Sequence, residues 1–151
     1  MEDSIFAKDF ENRYELAKIR YRILAFLIDF IIFWSIAMVF GTFYGESLEG
    51  SYGFSISGFP ALIVMVIGLF LWPISEGLFG QTIGKRFLNL KVVRENFEPI
   101  GIGEGFARFF LGLIDYIFLI GIIIAATNKK KKRIGDMVAD TIVISTKSNQ
   151  N

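Results

Sequence analysis

Apolar positions in this chain fall into three long runs, without the polar alternation of half-buried strands. Residues 23–43 are interrupted only by Asp29 and a few small polar residues, residues 59–79 form a second run, and residues 106–127 a third. At a rise of about 1.5 Å per residue, roughly 20 residues cross a hydrocarbon core of about 30 Å. The first two runs are therefore predicted to span a membrane. Residues 44–58 hold four Gly, four Ser and two Glu and read as a short exposed loop. Pro73 removes one backbone donor near the far end of the second run, which a membrane helix tolerates when a neighbour takes up the freed carbonyl.

The polar stretches predict the rest of the architecture. In residues 1–22, Phe6, Phe10 and Tyr14 recur at helical spacing and point to a cytoplasmic amphipathic segment at the interface; a mobile tail is the alternative. This stretch is not expected to be a cleaved leader, because the apolar run that follows is too long. Residues 81–90 are basic and amphipathic, while residues 88–94 and 140–146 carry β-branched side chains. Two such strands are marginal unless they pair, and pairing requires both on one side of the membrane. The predicted fold is an all-α membrane protein, a small helical bundle with two full spans and a third apolar helical segment. A short β pairing of 88–94 with 140–146 is expected on its cytoplasmic face. The membrane domain is expected over residues 23–147, with a polar tail at 148–151.

The net charge of +1 matters less than where the charges sit. Of sixteen Lys and Arg, five lie within residues 1–22, five between Lys85 and Arg108, and six between Lys129 and Lys147; residues 23–84 have none. This is a topology pattern, and no nucleic-acid partner is expected. A full third span would leave ten basic residues inside and six outside, whereas a segment that dips and returns keeps all sixteen inside. The positive-inside rule favours the return, with Gly112, Asp115 and Gly121 able to supply the break; a full span stays open. Lys85, Arg86, Lys129, Lys130, Lys131, Lys132 and Arg133 are candidates for anionic lipid headgroups or docking.

With neither Cys nor His, proton or ion chemistry falls to carboxylates, Tyr or Lys. No metal, cofactor or enzymatic activity is expected. Asp29, Glu76 and Asp115 stand inside apolar runs, where a carboxylate must be protonated, paired or facing water. Arg22 precedes Asp29 by seven positions and Arg108 precedes Asp115 by seven, so each boundary Arg shares a helix face with a deeper Asp. If the three carboxylates converged they could bind a proton or small cation. The plainer reading is an ion pair or interhelical hydrogen bond. Gly80-Gln81-Thr82-Ile83-Gly84-Lys85-Arg86 fails as a phosphate loop, with three residues between its glycines and Arg in place of Ser or Thr.

Three motifs together resemble a known family. Arg22-Ile23-Leu24-Ala25-Phe26-Leu27-Ile28-Asp29 resembles the opening signature of the RDD family of bacterial membrane proteins, named for one Arg and two Asp. Gly80 to Arg86 with Leu90-Lys91-Val92-Val93 is similar to its middle motif, and residues 133–144 to its closing motif. The resemblance implies that Arg22 and Asp29 are the first two named residues, with Asp136 or Asp115 the third. Asp140 stands where the family more often has a small residue. It further implies a multi-pass protein of the bacterial cell (inner) membrane, and the basic residues of the first block predict a cytoplasmic N-terminus. Two functions follow as expectations. One is a monovalent cation/proton exchanger acting as a homo-oligomer through Asp29, Glu76 and Asp115. The alternative is a non-transporting accessory or regulatory partner of other membrane proteins.

Overall fold

A computed structural model describes residues 14–48, 53–118, 124, 127 and 130–147, without the side chains of residues 113–118. The first apolar run forms helix α1 (Ile19–Tyr44), which begins a turn earlier than hydropathy indicates. Its buried positions are Ala25, Asp29, Ala37 and Gly41, a stripe of small residues and one acid at multiples of four. Small residues let another backbone approach closely, which is how helices associate where lipid removes the hydrophobic drive between them. Ile31, Met38, Val39 and Phe43 are exposed, as lipid-facing side chains of a span should be.

Two short strands, β1 (Glu46–Ser47) and β2 (Phe54–Ser55), pair across the loop and lay the Phe54 ring into the notch at Gly41. The second run forms α2 (Gly58–Phe79). Within it, Phe70–Ile74 widens into a π turn around Pro73, and the Ser75 hydroxyl donates to the Leu71 carbonyl at 2.7 Å. Contacts between α1 and α2 run in opposite chain order. Phe33 packs on Trp72 at 5.0 Å between ring centroids, Gly41 meets Phe54, and Ala25 meets Gly84 beyond the end of α2. The two candidate spans are therefore antiparallel, and the ends at Ile19 and Phe79 lie together.

Gly80 ends α2 with φ of 69°. A Cβ there would sit 2.6 Å from the Val92 carbonyl oxygen, and the Gly80 carbonyl accepts from Val92 N–H at 2.7 Å. Only glycine suits both the left-handed backbone and this approach. Next come α3 (Ile83–Phe87), β3 (Leu90–Arg94), α4 (Ile102–Phe118), α5 (Ile134–Val138) and β4 (Thr141–Ser145). Helix α4 runs back along α2, with Ile102 against Gly77, Gly105 against Pro73, and Phe109 stacked on Trp72 at 6.2 Å. The third apolar run is thus helical as far as Phe118. Gly121 and the Asp115 side chain lie outside the described residues, as do Phe6 and Phe10.

The expected strand pairing is present. β3 and β4 are antiparallel in the register Leu90↔Ser145 to Arg94↔Thr141. The chain before α1 extends this small sheet: Leu16 bridges Ile144, and Ala17 N–H reaches the Val143 carbonyl at 2.9 Å. Residues 14–18 are therefore extended, and the amphipathic helix predicted there does not include them. Alternation gives the sheet two apolar faces. Leu90, Val92 and Val143 pack with Ala17, Ala25 and Ile100, while Val93, Ile142 and Ile144 pack with Tyr14, Leu16 and Phe97. Asp140 turns α5 into β4 with φ of 49°, a left-handed position that Asp tolerates.

Candidate functional site

Polar side chains gather where α1 begins and α2 ends. Asp29, one face of its helix otherwise lined by Ala and Gly, is 3% exposed. Its carboxylate accepts from the Thr82 hydroxyl at 2.5 Å and from Gly84 N–H at 2.7 Å. Thr82 is the N-cap of α3, where its oxygen also accepts from Lys85 N–H at 3.3 Å. Gly84 has no room for a Cβ, which would collide with the Ala25 carbonyl. The stretch that fails as a phosphate loop is thus a clamp on α1. Its glycines give the turn and the close approach, and its threonine caps one helix while bonding another.

A second cluster is ionic. Lys85 pairs with Glu76, and Glu76 also accepts from Arg108 Nε at 2.5 Å. Arg108 then pairs with Asp136 and donates to Thr141 Oγ1 at 2.5 Å. The other oxygen of Asp136 pairs with Arg22, whose second nitrogen donates to the Lys131 carbonyl at 2.6 Å, and Asp136 also accepts from Arg133 N–H at 3.0 Å. Charges alternate along the chain Lys85–Glu76–Arg108–Asp136–Arg22, tying α3, α2, α4, α5 and α1 to each other. Arg108 and Asp136 are 3% and 1% exposed. Charges this deep are tolerable only when paired with opposite charge.

Several sequence-derived sites are placed differently from the simplest reading. Arg22 does not pair with Asp29 on its own helix face; it reaches Asp136 instead. Among the described residues, Asp29 closes on Thr82 and Gly84, whereas Glu76 closes on Lys85 and Arg108. Asp115 cannot be assigned to this network, because its side chain is outside the described residues. Among the headgroup candidates, Lys85 is committed to Glu76, and Lys132 is buried against Glu95 and Asp140. Both are therefore turned inward. Arg86 and Lys130 are exposed, Lys131 and Arg133 are half-buried, and Lys129 is not among the described residues. Arg108, Thr82 and Thr141 complete the site; the sequence set Arg108 beside Asp115, whereas it pairs with Glu76 and Asp136, and gave Thr82 and Thr141 no part in it. Arg108 did carry a signal, as the one basic residue inside the third apolar run.

Burial alone would push the Asp136 carboxyl up, but the guanidinium groups of Arg108, Arg22 and Arg133 and the Arg133 N–H overcome it and hold it far below the usual range. A carboxyl depressed in the fold stabilises above its unfolded pKa and loses that contribution as pH falls toward the folded value. The Asp136 contribution to unfolding stability is therefore expected to be full from pH 8 to 5 and to be lost below about pH 4, read in detergent as the stability difference between wild type and Asp136→Asn. For the clamp, Thr82→Val should lower stability by about 1 kcal/mol and Gly84→Val by more, on the order of 2–3 kcal/mol, because a hydrogen bond is replaced in one case and backbone is forced apart in the other. Equal small effects from both would contradict the clamp.

"Uncharacterized protein YxaI" of Bacillus subtilis (strain 168) is 32% identical over 88 residues, 56% of this chain, and the chain spans 58% of that relative's length. No solved structure matches. The model of the RDD family matches residues 16–140, a stretch that takes in both candidate spans and the ionic cluster from Arg22 to Asp136. The chain belongs to the RDD family of bacterial membrane proteins.

Proposed function

We propose that this protein is a non-transporting, non-catalytic accessory protein of the bacterial inner membrane, built to present its sheet-bearing face to another membrane protein. The observation that carries this reading is that Asp29, Glu76 and Asp136 each have both oxygens engaged by partners from other elements. A carboxylate held in this way secures helices to each other. The reading is tested by crosslinking and purification from native membranes. It expects one membrane partner in fixed stoichiometry, and recovery of only this chain would contradict it.

The same reading puts the N-terminus and the sheet in the cytoplasm, with the third apolar run entering the membrane and returning. Three contacts support the return: β3 with β4, Leu16 with Ile144, and Arg22 with Asp136. All three join segments on either side of the third run, and a full crossing would separate them by the bilayer. The absence of native cysteine makes the test clean. Lys147→Cys is expected to label from the cytoplasmic side of sealed cells or vesicles only. Labelling from outside would contradict the return.

A second reading, cation/proton exchange by a homo-oligomer, has one observation in its favour. Asp29 is held by a hydroxyl and a backbone N–H, and neither partner carries a charge. It is the carboxylate of the three best able to take a proton without breaking an ion pair. Exchange would require it to leave both partners, and two spans per chain would require neighbouring copies to complete a pathway.

A further inference from the structure

Helices α3 and α5 are inside out. In α3 the buried position is Gly84 and Lys85 points inward to Glu76, while Phe87 is 69% and Ile83 38% exposed. In α5 the buried positions are Gly135 and Asp136, while Val138 is 66% and Met137 42% exposed. A short helix in water hides its apolar side chains and solvates its charged ones; both helices do the reverse. Such inversion is stable when the medium outside is itself apolar.

Their level on the spans agrees. α3 packs on α1 at Ala25 and Asp29, and Ala25 lies six residues, about 9 Å, inside the helix from Ile19. α5 is tied to the same part of α1 through Asp136 and Arg22. Phe79, the last residue of α2, is exposed and leads into α3 within four residues, so the apolar surface of the span continues onto it. Arg86 is exposed between Ile83 and Phe87, where a cation can meet a lipid phosphate while its neighbours stay in the acyl region.

We propose that α3 and α5 form a collar sunk into the interfacial layer of the bilayer, with Ile83, Phe87, Met137 and Val138 against lipid and Arg86 at an anionic headgroup. The collar walls the ionic cluster off from water on its membrane side and gives the two helices a reason to be short. It is independent of the accessory reading, since an exchanger would use it equally.

The test uses spin labels on the full chain, one copy per nanodisc of phosphatidylethanolamine and phosphatidylglycerol. Labels go at Phe87→Cys and Val138→Cys, both exposed positions whose replacement leaves the core intact, with Asn96→Cys on the exposed turn after β3 as the aqueous reference. Power saturation with oxygen and with a water-soluble nickel chelate reads the depth. The expected result is a severalfold higher oxygen-to-nickel accessibility ratio at both collar sites than at position 96. A ratio at either collar site equal to that at 96 would overturn the proposal. So would a label shielded from both reagents, which would mark a face covered by protein.

Discussion

Asp136→Ala is expected to lower stability by about 3–5 kcal/mol, the range for removing one partner of a buried ion pair. The magnitude follows from what remains behind. Arg22 and Arg108 both direct a guanidinium at this carboxylate, so its loss leaves two cations facing each other in a site 1% exposed at its centre. Arg22→Ala should matter less, since Asp136 keeps Arg108 and the Arg133 N–H. The Arg22/Asp136 double mutant should be non-additive by about 1 kcal/mol or more. Reversible unfolding in detergent or bilayer checks both, and a change below about 1 kcal/mol for Asp136→Ala would contradict the network.

Glu76→Ala is expected to have the next largest effect, again about 3–5 kcal/mol, because Lys85 and Arg108 lose a shared anion. Here the companion variant Lys85→Met distinguishes the partners. It removes one cation but leaves Glu76 with Arg108, and should fall well short of the Glu76→Ala loss. A Glu76→Ala protein also carrying Lys85→Met should recover part of the stability, since an unpaired charge costs more than its removal. No recovery would mean that the lysine is held by something other than this pair.

Much of the architecture was legible because it rests on local pattern. The two candidate spans follow from run length, and the β3–β4 pairing from two β-branched segments that could not stand alone. The site was legible only in part. Arg22, Asp29 and Glu76 drew attention as charges in or beside apolar sequence and Asp136 through the resemblance to the family's closing motif, but which residue pairs with which was not legible. Thr82 lies 53 residues from Asp29, and Arg22 lies 114 residues from Asp136. No periodicity connects such positions, because the contact exists only once the helices are antiparallel and the segments before and after the third run have met. The seven-residue spacing of Arg22 and Asp29 suggested an intrahelical relation, and the structure resolves it into two separate interhelical ones. Likewise Lys85 and Lys132 look like headgroup cations in a linear reading, but each is drawn inward by a carboxylate supplied from elsewhere in the fold.

These contacts make one coherent picture. Small residues bring α1 and α3 together, Asp29 bonds the N-cap of α3, and an alternating row of charges binds the remaining helices at the same end. The carboxylates are fasteners in this account, and the central claim is that they carry no ion across the membrane. The most direct measurement is flux in proteoliposomes containing the purified full chain and an internal pH dye, challenged with Na⁺, Li⁺ or K⁺. The account predicts a wild-type trace that overlays those of Asp29→Asn and protein-free vesicles. A cation-dependent pH change in wild type that Asp29→Asn abolishes would contradict it.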